Sequence, residues 1–210
     1  MSSILSLVAK PVTFILCLAI AVATTPFTAT LAQQDTPEMT SGTGLGPAIG
    51  ETIPHDLALG DAPGFDALTG ENGMVLFFVR SVDWCPYCKA QVIEASAAYD
   101  DFTALGLEPV YLSYDTAEKQ TAFAAQRDIA GSFISDPQSE IITAFGLLNT
   151  NHKPGEFGHG IPFPAIFILD ADGTVAARLY EEEYLTNAKS YQDRPAIDIV
   201  LEAAAKAVSE

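Results

Sequence analysis

Unbroken apolar runs of strand length alternate along this chain with stretches whose apolar residues recur every three or four positions. Met74–Arg80 (Met-Val-Leu-Phe-Phe-Val-Arg) is apolar on both faces, which predicts a central strand covered by helices on either side. From Pro86 to about Leu105, Ala90, Ile93, Ala97 and Ala98 fall at helical spacings and predict one helix. Leu107–Ser113 returns to strand. Thr116–Ile129 follows as a second helix, with Thr116 or Asp115 as its N-cap. Phe133–Ser135 is a short extended piece, and Pro137–Phe145 a third helix closed by Gly146. Pro164–Leu169 predicts another buried strand. The turn Asp170-Ala171-Asp172-Gly173 then leads into Thr174–Tyr180, completing a hairpin. Ala196–Val208 is an amphipathic C-terminal helix. The pattern is α/β around a mixed central sheet flanked by helices, without an internal repeat.

The N-terminal segment has another character. Lys10 precedes an apolar run, Pro11–Ala23, and small and hydroxyl residues follow, ending Thr30-Leu31-Ala32. This is the pattern of a secretory signal peptide over residues 1–32. The run is shorter than the roughly 20 residues a membrane span needs, although apolar character resumes at Leu31 and an uncleaved anchor is the alternative. Cys17 follows Leu16, where a lipid-attachment site wants a small residue, so no lipoprotein is expected. Residues 33–50 are rich in Thr, Gly, Ser and Pro and predict a flexible leader. Residues 51–210 form the expected domain, opening on a loop-rich lead-in with a short strand near Ile53 or over Leu57–Leu59. The expected location is exported, periplasmic or secreted, with no stable membrane insertion after cleavage.

The net charge of −17, from 27 acidic against 10 basic residues, disfavours nucleic acid and anionic membranes as partners. Solvation accounts for such acidity; an acidic habitat or a basic partner are the alternatives. Removal of the signal leaves two cysteines, Cys85 and Cys88. In an oxidising compartment they have only each other as intramolecular partners. A bridge closing so small a loop constrains the unfolded chain little, which points to chemistry rather than stapling.

Trp84-Cys85-Pro86-Tyr87-Cys88-Lys89 stands where the central strand hands over to a helix. Pro86 suits the first helical position. Unpaired N–H groups and the positive end of the helix dipole would then face the Cys85 sulfur and favour its thiolate. Cys88 lies one turn on and is expected to be the more buried. In this division of labour Cys85 attacks and Cys88 resolves the mixed disulfide. A zinc half-site is the alternative, with His55, His152, His159 or carboxylates as further ligands. Asp83 opposes a thiolate at Cys85, and Arg80 or Lys89 would offset it.

Strand, Trp-Cys-Pro-Tyr-Cys, helix resembles the thioredoxin superfamily, and the Pro-Tyr insert is the one glutaredoxins use. Phe133–Gly146 (Phe-Ile-Ser-Asp-Pro…Ala-Phe-Gly) resembles the redoxin branch, which holds alkyl hydroperoxide reductases and thiol-specific antioxidant proteins. That resemblance runs from about Gly50 to the C-terminus. It implies a thioredoxin-like fold with a redoxin-type insertion between the second strand and a cis-proline strand, Pro164–Asp170. It also implies a cis Phe163–Pro164 bond lying against the dithiol, with the Phe163 backbone free to pair with a docked substrate strand.

The pattern departs from its relatives at several positions. Val79 stands where thioredoxins keep a buried acid. Counted from Cys85, Val82 and Phe78 stand where peroxiredoxins place Thr or Ser and Pro. Arg80 and Arg178 are the candidates for an arginine that polarises peroxide. The expected function is an exported thiol–disulfide oxidoreductase cycling Cys85 and Cys88 with protein thiols or disulfides, without a cofactor. Trp84, Pro86, Tyr87, Phe163 and Pro164 would form the docking surface. One alternative is a peroxiredoxin-like, antioxidant thiol peroxidase that takes a hydroperoxide and an external thiol reductant, with Cys85 as the sulfenic acid. Another is a copper-binding chaperone using His159.

Overall fold

A computed structural model describes residues 44–53, 64–187 and 189–209. The predicted signal peptide, most of the leader, His55 and the Leu57–Leu59 strand lie outside the described residues. Five strands form one sheet: β1 (Gly73–Phe78), β2 (Leu107–Ser113), β3 (Ser132–Ser135), β4 (Ala165–Leu169) and β5 (Val175–Leu179). Their order is β3-β2-β1-β4-β5. β1 runs parallel to β2 and β2 to β3, whereas β4 is antiparallel to both β1 and β5. The mixed sheet expected from the sequence is therefore present.

Every residue of β1 is buried, as its two-faced apolar run requires. Successive side chains point to opposite faces, so the one strand feeds two cores. Leu76 and Phe78 join Phe145, Ile141 and Phe167 on one side; Val75 and Phe77 join Val92, Phe102, Tyr111 and Val200 on the other. The second side is covered by α1 (Pro86–Ala97), α2 (Tyr99–Ala104), α3 (Ala117–Arg127) and α5 (Ile197–Ala207), and the first by α4 (Glu140–Ala144).

The structure corrects several boundaries. The single helix expected from Pro86 to Leu105 breaks at Ala98 (φ −96°, ψ 14°) into α1 and α2, with no Gly or Pro to mark the break. The helix expected from Pro137 starts only at Glu140, because the Asp136 carboxylate accepts from the Glu140 and Ile142 N–H groups and holds residues 136–139 in a turn. Thr116 occupies the N-cap position of α3 but its side chain makes no capping bond. Asp115 is committed elsewhere, as described below.

The flexible leader expected over residues 33–50 is corrected at its end. Leu45 is 5% exposed, Gly50 N–H donates to Val175 O (2.8 Å), and Arg178 donates to the carbonyls of Gly46 and Pro47. Gly46, with φ +74°, lies so close to the Phe167 ring that a Cβ there would sit 2.5 Å from it. Ile53 is buried and its N–H donates to Gly173 O, which leaves a single bridge, Thr52–Thr174, where a short strand was expected.

Phe167 joins the sheet to its α4 side: its ring lies 5.8 Å from those of both Phe78 and Phe145. Replacing Phe167 by Ala should lower unfolding free energy by about 3–5 kcal/mol in urea titrations. Ile93→Ala, at a residue 38% exposed on α1, should change it by well under half that. Equal effects would show that the core is not organised about Phe167.

Candidate active site

β1 ends at Phe78, and the loop 79–84 carries the chain to α1. That loop is suspended from one buried carboxylate. Asp115 accepts from Ser81 Oγ (2.8 Å), Val82 N–H (2.7 Å) and Ser113 Oγ (2.8 Å). Ser81 Oγ in turn accepts from the N–H groups of Asp83 (3.0 Å) and Trp84 (3.2 Å). Gln120 ties Ser113 Oγ to the Ile134 carbonyl (3.0 and 2.7 Å). Ser81, Ser113, Asp115 and Gln120 are all buried, which makes the network costly to break.

Cys85 caps α1: its sulfur accepts from the Cys88 N–H (3.3 Å), with Pro86 at the first helical position, as the sequence predicts. Both cysteines are free thiols, 1% and 0% exposed, so Cys85 is covered as well as Cys88.

A charged group beside the pair was missed in the sequence. Arg194, from the segment preceding α5, brings Nη2 to 3.6 Å from Cys88 Sγ. Its other donors are held by Gln91 Oε1 (3.2 Å), Tyr184 Oη (3.2 Å), Asp193 O (2.6 Å) and Tyr191 O. No motif marks it, and 106 residues separate it from Cys88. Neither sequence candidate takes this place. Arg178 binds the 44–50 segment, and Arg80 lies between the rings of Trp84 and Tyr191.

The surroundings of the two sulfurs favour a thiolate at Cys88 over one at Cys85. Burial pushes the Cys88 thiol up, but the Cys85 thiol, the Arg194 charge and the Ser81 backbone outweigh it, bringing Cys88 from 9.0 to about 6. Cys85, acting as proton donor to Cys88 and itself buried, is pushed far up; the Cys88 N–H opposes this only weakly. The helix-dipole argument for a Cys85 thiolate is thus outweighed by a full charge beside its neighbour. Counted from Cys88, the position three residues earlier, where peroxiredoxins place Thr or Ser, is Cys85 itself.

Phe163 and Pro164 line a cavity with Arg80 and Tyr191, while Trp84 Nε1 donates to Tyr114 Oη (2.8 Å) and Tyr87 packs on Tyr191. The described residues contain no cis peptide, so Phe163–Pro164 is trans. The Phe163 N–H donates to Leu147 O (2.7 Å), which removes the donor expected to pair with a docked strand. Asp83 is offset by Lys119 (2.6 Å), and Lys89 reaches only its carbonyl. His159 Nδ1 lies 3.1 Å from His152 O in the 152–160 loop. Among the described residues no three His, Cys, Asp or Glu side chains gather as metal ligands, so neither the zinc nor the copper alternative gains support.

A strand, a buried CxxC at a helix N-terminus and the β1–β4 antiparallel pair define a thioredoxin-like thiol protein. The chain belongs to the AhpC/TSA family, whose pattern matches residues 62–178. It is 30% identical over 95 residues to a putative peroxiredoxin of Mycobacterium tuberculosis, covering 45% of this chain and 60% of that one. It is 29% identical over 118 residues to Peroxiredoxin 2 of Picrophilus torridus, covering 52% and 54%. The chain therefore spans somewhat over half the length of these curated relatives. In fold it is similar to the peroxidoxin BcpB of M. tuberculosis (TM-score 0.56, 22% identity, 74% of this chain and 95% of that). PrxQ of Xylella fastidiosa is similar too (TM-score 0.59, 17% identity, 80% and 100%).

Folding lowers the Cys88 thiol, so its thiolate stabilises the reduced protein fully above pH 9, and that contribution fades as pH falls through about 6. Arg194→Gln should move the midpoint of iodoacetamide reactivity upward from near pH 6, by a unit or so. A midpoint unmoved by the substitution would remove Arg194 from the site's electrostatics.

Proposed function

We propose that this chain is a thiol peroxidase in which Cys88 is oxidised by a hydroperoxide and Cys85 resolves the product. The observation that carries this is the Arg194 guanidinium 3.6 Å from Cys88 Sγ, beside a second thiol that donates to it. The Cys88 thiolate attacks the hydroperoxide: an S–O bond forms, the O–O bond breaks, and the leaving alkoxide or hydroxide takes a proton. Cys88 becomes a sulfenic acid, two electrons more oxidised. The Cys85 thiol then forms the disulfide with loss of water, and an external thiol reductant restores the pair. Arg194 donors stabilise the charge that moves from sulfur to oxygen. The peroxiredoxin relatives and two nearly covered sulfurs, suited to a small oxidant, support this reading over exchange with protein thiols.

The test is to mix the reduced protein with hydrogen peroxide and follow Trp84, the sole tryptophan. We expect oxidation orders of magnitude faster than that of a free thiol. Cys88→Ser should abolish it, and Cys85→Ser should stop at a sulfenic acid that dimedone traps. The opposite pattern would return the attacking role to Cys85. A rate no better than that of a free thiol would favour disulfide exchange.

Export belongs to the same proposal, supported by Lys10, the apolar run Pro11–Ala23 and the small residues ending at Ala32. In a bacterial host, N-terminal sequencing of the exported protein should begin at Gln33. Retention of the whole segment in the membrane fraction would favour the anchor.

A further inference from the structure

Arg80 is out of place in an ordinary core. Its exposure is 8%, its Nε has no hydrogen-bond partner, and among the described residues no carboxylate pairs with it. A buried, unpaired guanidinium is expensive unless something compensates for it. Part of the compensation is visible: the charge lies 5.2 Å from the Trp84 ring centroid and 4.4 Å from that of Tyr191. Ring contacts of this kind supply no hydrogen-bond acceptor for the guanidinium N–H groups.

Arg80 lines a cavity of about 340 Å³. None of its described lining residues is acidic, in a chain whose net charge is −17. Asn149, Asn151, Asn187 and His152 add neutral polar groups, and Phe163 and Pro164 an apolar wall. Two other wall residues, Tyr184 and Tyr191, also hold Arg194, the residue at Cys88 Sγ. The cavity and the reacting sulfur are therefore linked through Arg194, which binds Tyr184, Tyr191 and Cys88.

We propose that this cavity binds the carboxylate of an organic hydroperoxide, with Arg80 as its fork-like partner, and so selects anionic over neutral peroxides. The inference rests on the peroxidase reading above and names its substrate class. A carboxylate accepts two parallel N–H bonds from a guanidinium, while the apolar wall takes the body of the molecule. The redox step is unchanged: the Cys88 sulfur gains the distal oxygen, the O–O bond breaks, and the carboxylated alkoxide leaves as the alcohol.

The test has two arms. In the first, 4-isopropylbenzoate, which carries the carboxylate but no peroxide, is titrated against the reduced protein while Trp84 fluorescence is followed. We expect saturable binding, weakened about tenfold or more in Arg80→Gln, as loss of a charged hydrogen-bond partner implies. Arg80→Lys should recover part of it, and 4-isopropylbenzamide should bind wild type and Arg80→Gln alike. In the second arm, kcat/KM for 4-(2-hydroperoxypropan-2-yl)benzoate is divided by that for cumene hydroperoxide. The ratio should fall about tenfold in Arg80→Gln and recover partly in Arg80→Lys, which also serves if the Gln variant unfolds. Equal binding of the acid and the amide would overturn the proposal. Carboxylate binding with an unchanged ratio would overturn it too, and assign the anion to the thiol reductant. Failure of the peroxidase reading has a separate signature: neither hydroperoxide would oxidise the protein faster than a free thiol.

Discussion

The Asp115 carboxylate is the constraint from which the site hangs. A loop leaving a central strand carries backbone donors into a dry region, and those donors must find acceptors. Asp115 takes three of them, Val82 directly and Asp83 and Trp84 through Ser81, and fixes Ser113 at the end of β2. Since β1 and β2 are paired in parallel register, this ties the end of one strand to the start of the helix that follows the other. Cys85 therefore arrives at the N-cap of α1 with little freedom, and Cys88 one turn later. The backbone N–H of Ser81, a residue of this same network, also lowers the Cys88 thiol.

Within that frame the dithiol is an electrostatic device with unequal halves. Both sulfurs are equally out of water, so burial alone does not distinguish them. What does is the hydrogen bond from the Cys85 thiol and, after it, the charge of one guanidinium, held through Gln91, Tyr184 and the carbonyls of Tyr191 and Asp193. An arginine with its donors so distributed loses little further entropy when it meets a charge at Cys88. Arg80 is the contrasting case: stacked on two rings, it keeps an unpartnered Nε beside the cavity.

Much of the fold was legible because apolar patterning reports burial directly. Met74–Arg80 announced a strand buried on both faces, and β1 is that strand. The hairpin at Asp170–Gly173 followed from turn chemistry, and its Asp170 carboxylate does accept from the Asp172 and Thr174 N–H groups. The errors lie where tertiary contacts override local preference. Asp136 shortened α4 by capping it late, and a sheet edge ordered part of a leader that composition alone made look loose. The family resemblance suggested a cis Phe163–Pro164 bond; the bond is trans, with Phe163 N–H paired to Leu147.

By itself the sequence determined the CxxC, its place between a buried strand and a helix, and the class of fold, because these depend on neighbours within a few residues. Only the tertiary structure decided which sulfur carries the charge. Arg194 contributes to that preference, brought to Cys88 by the packing of the C-terminal segment against α1. Coulombic preference depends on distance in space, and a separation of 106 residues leaves no trace of it in local sequence.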